Sequence, residues 1–157
     1  ETRSFLVAAY VASGKPEEAL TVLDKMRELK PNDVDTLLTR IQVLFMLVKD
    51  TEVIPDCQAI IAIQPENATA FYLMARAKHV TNDLLGAIAD LTRAVTLRED
   101  FADAYQLRAE ILLKMQQGTE ALEDLKKSIE LNPEGEEAKL VEGSHSNFDN
   151  LYKGGLY

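Results

Sequence analysis

The stretch Leu29-Lys30-Pro31 and its three later copies decide the fold of this chain. The copies are Ile63-Gln64-Pro65, Leu97-Arg98-Glu99 and Leu131-Asn132-Pro133, so the spacing between successive copies is constant. A fixed period of roughly 20 to 50 residues is typical of a repeat array, in which each unit buries its apolar face against its neighbours. The sequence therefore predicts four copies of one structural unit.

Within one unit the apolar residues follow the spacing of an α-helix. Phe71, Met74 and Ala75 stand at positions i, i+3 and i+4 before a short turn at residues 81–83. After the turn the same spacing recurs at Ile88, Leu91 and Val95. Each unit is therefore predicted to be two antiparallel helices of about 14 residues, each roughly 20 Å long.

Capping residues predict where the helices and units begin. Pro16 suits the first position of a second helix. Asn67 and Thr119 are expected as N-caps of the helices that follow them, and Asp100 can serve in the same way. The predicted units span 1–33, 34–67, 68–101 and 102–135, followed by a capping helix over 136–142 and a tail with aromatic residues over 143–157.

The second unit departs from the common pattern in its second helix. Val53 occupies the place of the small residues Ala19, Ala87 and Ala121, and Pro55 removes a backbone donor close to the helix start. Bulk between helices and a lost hydrogen bond both disturb a helix pair. We therefore expect this helix to start late or to bend.

The composition limits the classes of protein to which the chain can belong. Of its 157 residues, 46% are apolar and 27% are charged, and the net charge is −9. Nucleic-acid binding is driven by Lys and Arg, so this acidic balance predicts no nucleic-acid partner. No stretch reaches the roughly 20 apolar residues of a membrane span, so no membrane insertion is expected. The single cysteine, Cys57, excludes an intramolecular disulfide and fits a cytoplasmic location.

The sequence contains no pattern typical of a catalytic, metal or cofactor site. His79 and His145 are its only histidines, and neither has the spacing of a zinc ligand pair. Cys57 has no histidine placed to activate it, and its position suits a buried structural thiol. Gly-rich phosphate-binding loops are absent as well. We therefore predict a protein that is not an enzyme and needs no cofactor.

The repeat unit resembles the tetratricopeptide repeat (TPR), a helix-turn-helix motif of about 34 residues. The resemblance covers residues 1–135 and is strongest in the third and fourth units. The third unit carries it in the run Phe71-Tyr72-Leu73-Met74-Ala75 and in Ala87, Leu91 and Ala94. The fourth carries it in Ala104, Tyr105, Ala109, Ala121, Leu125, Ser128 and Pro133.

The resemblance implies an all-α fold, a right-handed superhelical α-solenoid in which the first helices line a concave groove that holds extended peptides. Projecting the family's inner positions onto this chain gives a predicted peptide-binding groove of Leu38, Gln42, Phe45, Tyr72, Arg76, His79, Gln106, Glu110 and Leu113. The same projection also covers Phe5, Met46, Leu73, Val80 and Leu107. For Phe5, Leu73 and Leu107, a place in the core between repeats is an equal alternative.

Chaperone-binding members of the family clamp a C-terminal carboxylate with Lys, Asn and Arg. The matching positions here hold Ser4, Ala8, Thr39, Asp103 and Leu107, so this clamp is not expected. The predicted groove is mostly apolar and aromatic, which favours a partner with hydrophobic side chains. Polar contacts to Arg76, Gln42 or Glu110 would anchor it.

These inferences predict a non-catalytic scaffold for protein–protein interaction. One alternative is a structural or self-association module, with the tail 143–157 docking in a groove of its own or of a neighbouring chain. Charges on the second helices, among them Asp24, Arg27 and Asp90, are expected to face solvent, which favours the groove as the binding surface. Another alternative is a regulatory region of a larger protein, because the chain begins at Glu1 without an initiator Met.

Overall fold

The computed structural model describes residues 2–134, and these residues form helices joined by turns, without a β-strand. The eight helices in this range are α1 (Thr2–Ala12), α2 (Pro16–Leu29), α3 (Val34–Met46), α4 (Asp50–Ile63), α5 (Ala68–Val80), α6 (Leu84–Leu97), α7 (Ala102–Lys114) and α8 (Gly118–Leu131). The prediction of an all-α chain of four helix-turn-helix repeats is confirmed. The predicted capping helix 136–142 and the tail 143–157 lie outside the described residues.

The helix starts repeat with the period of the sequence. Helices α3, α5 and α7 begin at Val34, Ala68 and Ala102, which are equivalent positions of successive repeats. Asn67 is the N-cap of α5, as predicted, because its side chain accepts a hydrogen bond from the backbone N–H of Ala70 at 3.0 Å. The N-cap predicted at Thr119 is wrong. Helix α8 already begins at Gly118, so Thr119 lies inside the helix.

Helix α4 does not start late, so that part of the prediction for the second repeat is wrong. The helix begins at Asp50, in register with the other second helices, and continues through Pro55. A single proline removes one backbone hydrogen bond. The buried residues Val53, Cys57 and Ile60 on the core side of α4 are fully shielded from solvent, and their burial outweighs that loss.

The turn between the helices of each repeat contains one residue with a left-handed backbone. These residues are Gly14, Val48, Asn82 and Gln116, with φ angles of 73°, 57°, 67° and 61°. Glycine adopts this conformation without a steric penalty, and asparagine adopts it more readily than most residues. Val48 carries the largest penalty of the four, since a β-branched side chain is crowded at positive φ.

Replacing Val48 with glycine is expected to raise the free energy of unfolding by about 1 kcal/mol. The left-handed conformation costs an L-residue about 1 to 2 kcal/mol, of which the greater backbone entropy of unfolded glycine cancels a part. Urea denaturation followed by circular dichroism measures the change. The matched control is Val80→Gly at an exposed helical position of α5, where the same substitution should lower stability by about 0.5 kcal/mol. A loss of stability in both variants would contradict the strain at Val48.

The described residues form two compact units, one up to Asp83 and one from Leu84 onward. In the N-terminal unit, α2 packs against α1 and α3, and α4 packs against α3 and α5. Its core includes Leu23, Leu37, Ile41, Leu44 and Ile60, all buried. In the C-terminal unit α7 packs against α6 and α8, around a buried cluster of Ala109, Leu112 and Ala121.

A buried ionic network joins the first two repeats. Arg40 of α3 donates one hydrogen bond to Asp56 of α4 at 2.6 Å and another to Asp24 of α2 at 2.9 Å. Arg27 of α2 contacts the second oxygen of Asp56 at 3.0 Å. The expectation that Asp24 and Arg27 simply face solvent is therefore wrong. The second repeat supplies an arginine that pairs with Asp24 and a carboxylate that pairs with Arg27.

The fourth repeat contains the equivalent pair. Arg108 of α7 donates two hydrogen bonds to the carboxylate of Asp124 in α8, at 2.7 and 2.8 Å, and a third to the hydroxyl of Thr92 at 3.3 Å. The hydrogen bonds to Asp124 raise the pKa of Arg108 above its ordinary value, although burial opposes them. At Arg40 burial lowers the pKa, but hydrogen bonds and charge from Asp56 and Asp24 outweigh it, so the pKa is raised.

Candidate functional site

The predicted groove residues of the N-terminal unit lie along one side of α3 and α5. Helix α3 supplies Leu38, Gln42 and Phe45, and α5 supplies Tyr72, Arg76 and His79. Spacings of three and four positions place each trio on a single helix face. Gln42 and Arg76 are exposed, and the other four are half-buried. Leu38, Phe45 and Tyr72 also pack against the core of this unit.

An arginine and two aromatic rings meet where α3 and α5 approach each other. The guanidinium carbon of Arg76 lies 4.3 Å from the ring centroid of Phe45 and 6.0 Å from that of Tyr72. Both distances are within the range of a cation–π interaction. The structure thus brings three of the predicted groove residues into one cluster, although Phe45 and Arg76 belong to different repeats.

Two large apolar side chains at the ends of the same two helices are exposed. Met46 at the end of α3 is 52% exposed, and Val80 at the end of α5 is 61% exposed. They occupy equivalent positions in successive repeats, next to Phe45 and one helical turn beyond Arg76, respectively. We call the surface formed by Gln42, Phe45, Met46, Tyr72, Arg76 and Val80 the first-helix face.

The structure gives the exposure of Phe5, Leu73 and Leu107, for which a place in the core and a place on the groove surface were equal alternatives. Phe5 of α1 is 75% exposed, so it belongs to the surface. Leu73 of α5 is 9% exposed and belongs to the core of the N-terminal unit. Leu107 of α7 is half-buried.

In the C-terminal unit the predicted groove residues lie on α7. Gln106 and Leu113 are half-buried and Glu110 is exposed. Leu113 packs against the cluster of Ala109, Leu112 and Ala121, so much of its apolar surface is used inside the unit. Within this unit Glu110 therefore offers the most accessible polar group of the three.

A cavity of about 320 Å³ opens between α1, α2 and α3. Its apolar lining comes from Val7, Leu23 and Met26, and its polar lining from Ser4, Asp33, Asp35, Thr36 and Thr39. The Thr36 hydroxyl donates to the Asp33 carboxylate at 2.6 Å, so part of this polar lining is already satisfied. The carboxylates give the rim of the cavity a negative charge.

The projection of the family's inner positions onto the sequence placed Phe45, Tyr72 and Arg76 on the first helices, but two properties of this surface could not be predicted from it. The projection did not show that Arg76 packs on Phe45, because that contact depends on how two repeats dock. It also missed that Met46 and Val80 are more exposed than most of the nine residues singled out. The position of each at the last turn of a first helix was the available signal.

Two further kinds of site are absent from residues 2–134. No group of three or more His, Cys, Asp and Glu side chains there is arranged to hold a metal ion. None of the helices in this range combines the length and the apolar character needed to cross a membrane. The thiol of Cys57 is buried in the core of the N-terminal unit.

Four helix-turn-helix repeats with a common period define a helical-repeat protein. The family model described as tetratricopeptide repeat matches residues 102–134, the fourth of these repeats, and the resemblance to that family is confirmed. The fold is similar to that of MamA from Desulfovibrio magneticus RS-1, with a TM-score of 0.76 and 24% identity over 85% of this chain and 76% of that one. YrrB is similar as well, with a TM-score of 0.75 and 18% identity over 87% of this chain and 71% of that one.

Curated relatives are similar over a shorter stretch. DnaJ homolog subfamily C member 3 of Mus musculus is 32% identical over 89 residues, which are 57% of this chain. The protein of the same name from Homo sapiens is 30% identical over 89 residues. The matched part spans only 18% of the length of each relative.

Proposed function

We propose that this protein is a non-catalytic interaction scaffold and that the first-helix face holds a peptide segment of a partner protein. The observation that carries the proposal is the exposure of Met46 and Val80 at the ends of the two helices that carry the Arg76 cluster. Leu38 and His79 would complete the surface in the N-terminal unit. In the C-terminal unit, Gln106, Glu110 and Leu113 of α7 form the corresponding candidate surface.

The chemistry of the face favours apolar side chains in the partner. Burying a side chain of the size of Met or Val contributes about 1.5 to 3 kcal/mol. Phe45 and Tyr72 add half-exposed aromatic surface, which is common in the energetic centre of protein interfaces. Gln42 and Arg76 supply polar groups that could fix the orientation of a bound segment.

Two of the comparisons support a role in protein binding. The fourth repeat matches the tetratricopeptide-repeat model, whose family the resemblance describes as interaction scaffolds, and YrrB, one of the similar structures, is a TPR protein with an unusual peptide-binding site. Peptide binding is therefore the activity that the surface suits best.

The double variant Met46→Ala/Val80→Ala should bind peptides at least about tenfold more weakly than the unaltered protein. The probe is a set of short peptides selected on the unaltered protein from a random library, with affinities measured by fluorescence polarisation. Each truncation removes apolar contact surface worth about 1 kcal/mol or more. Both positions are exposed, so circular dichroism should show unchanged helix content.

The matched control is Leu85→Ala on α6, an exposed apolar residue outside the first-helix face. It should leave peptide affinity within about twofold. Phe45 and Tyr72 are less suitable targets, because both also pack against the core and their truncation would change stability. Unchanged binding by the folded double variant, or no peptide selected at all, would refute the first-helix face as the binding site.

A further inference from the structure

Arg76 differs from Arg27 and Arg40 of the N-terminal unit in the use of its charge. Arg27 and Arg40 bind carboxylates of the same chain, at 3.0 and 2.6 Å, so the fold already uses their charge. Arg76 is exposed, and among residues 2–134 its side chain has no ion-pair or hydrogen-bond partner. Its guanidinium lies over the rings of Phe45 and Tyr72.

Those ring contacts prepare Arg76 to bind an anion. A long side chain loses conformational entropy when a ligand immobilises it, and contacts that already restrict it reduce this loss. The guanidinium has five N–H donors, which match the two oxygens of a carboxylate. Because no acceptor within residues 2–134 uses these donors, a ligand can accept hydrogen bonds from them without displacing a hydrogen bond of that part of the fold.

The surroundings of Arg76 strengthen a contact between its guanidinium and a carboxylate, and they favour a peptide in which the acidic residue stands beside an apolar one. The ring of Phe45 lies against the guanidinium. Val80, one helical turn beyond Arg76, and Met46, next to Phe45 in the sequence, add exposed apolar surface on the same two helices. A charge-assisted hydrogen bond is stronger where such surface partly displaces water. Since the chain has a net charge of −9, its general field does not attract acidic peptides. Recognition of an acidic group here would therefore depend on this one arginine.

We infer that the bound segment carries an Asp or Glu side chain that pairs with Arg76, beside an apolar side chain that packs on Met46 and Val80. This inference rests on the proposed function and specifies the partner that the first-helix face selects. It assigns to Arg76 a specificity-determining role and to the two apolar residues the neighbouring subsite.

The test uses short peptides selected from a random library on the unaltered protein. The selected sequences should be enriched in Asp or Glu next to an apolar residue. Replacing that acidic residue with Gln in the peptide, or Arg76 with Gln in the protein, should each weaken binding about tenfold. Because both changes remove the same contact, the combined loss should be close to either single loss.

A charge reversal gives the sharpest result. The variant Arg76→Glu should prefer a peptide with Lys in place of the acidic residue, which reverses the preference of the unaltered protein. The control Lys25→Glu makes the same change in charge at an exposed site on α2 and should preserve the original preference. Arg76 is exposed, so its variants should keep the thermal midpoint of the unaltered protein.

The failure of this inference is distinguishable from the failure of the proposed function. Peptides without acidic enrichment, or with affinity that Arg76→Gln leaves unchanged, would overturn the inference. If Met46→Ala/Val80→Ala still weakened the binding of those same peptides, the proposed function would stand. Peptide affinities that none of the substitutions Met46→Ala, Val80→Ala and Arg76→Gln changes would overturn both the inference and the proposed function.

Discussion

Arg40→Ala is expected to lower the free energy of unfolding by about 3 kcal/mol, the largest effect that we predict for a single substitution. The side chain of Asp56 is 2% exposed, and Arg40 provides its shortest hydrogen bond, at 2.6 Å. Removing one member of a buried ion pair costs about 3 to 5 kcal/mol, because the other charge remains without compensation. The lower end applies here, since Arg27 still contacts Asp56 at 3.0 Å.

The loss of unfolding free energy should arise because the buried carboxylate of Asp56 keeps its charge without Arg40, and not because the ion pair itself is strongly stabilising. In the double variant Arg40→Met/Asp56→Leu both charges are gone, and stability should return to within about 1 kcal/mol of the unaltered protein. Urea denaturation followed by circular dichroism measures both variants. Lys25→Ala removes an exposed pair with Glu28 at 3.7 Å and should change stability by less than about 0.5 kcal/mol. A loss below about 1 kcal/mol for Arg40→Ala would contradict a buried network that joins the repeats.

Leu73→Ala is expected to lower the free energy of unfolding by about 2 to 3 kcal/mol, and Phe5→Ala to change it by less than about 0.5 kcal/mol. The two residues stand at equivalent positions of the third and first repeats, yet Leu73 is 9% exposed and Phe5 is 75% exposed. Truncating a buried leucine removes its transfer free energy and leaves a cavity. Truncating an exposed side chain does neither.

The same denaturation measurement compares the two variants directly. Phe5 is the larger side chain, so an effect that followed side-chain size alone would be greater at Phe5. Such an order would contradict the assignment of Leu73 to the core and of Phe5 to the surface. The order that we expect would show that neighbours, and not repeat position, decide the role of these residues.

Local pattern was sufficient for much of the fold. The starts of α3, α5 and α7 at Val34, Ala68 and Ala102 follow from the period of the repeat. The cap at Asn67 follows from side-chain chemistry between close neighbours in the sequence. Such features can be predicted before any packing is known. The late start expected for α4 was wrong because the hydrogen bond lost at Pro55 is a local effect, whereas the stabilising burial of Val53 depends on neighbouring helices.

The candidate site could be predicted only in part. Phe45, Tyr72 and Arg76 were placed on one stripe by their helical spacing, but their mutual contact joins two repeats. The same limit applies to Asp24 and Arg27, which were expected to face solvent. Their partners Arg40 and Asp56 lie on neighbouring helices, and charge alone does not show which exposed-looking residues become paired.

The sequence by itself determined that this protein is four helix pairs with a common period, because that information lies in the helical spacing of apolar residues and in the constant interval between copies. Only the tertiary structure decided that Leu73 lies in the core while Phe5 lies on the surface. It also decided that Arg40 forms an ion pair with Asp56. The packing of Arg76 on Phe45 of the second repeat and on Tyr72 of its own repeat depends on the tertiary structure as well. The physical reason is that burial and pairing are properties of several helices together. Identical positions in a repeat therefore acquire different roles when their neighbours differ.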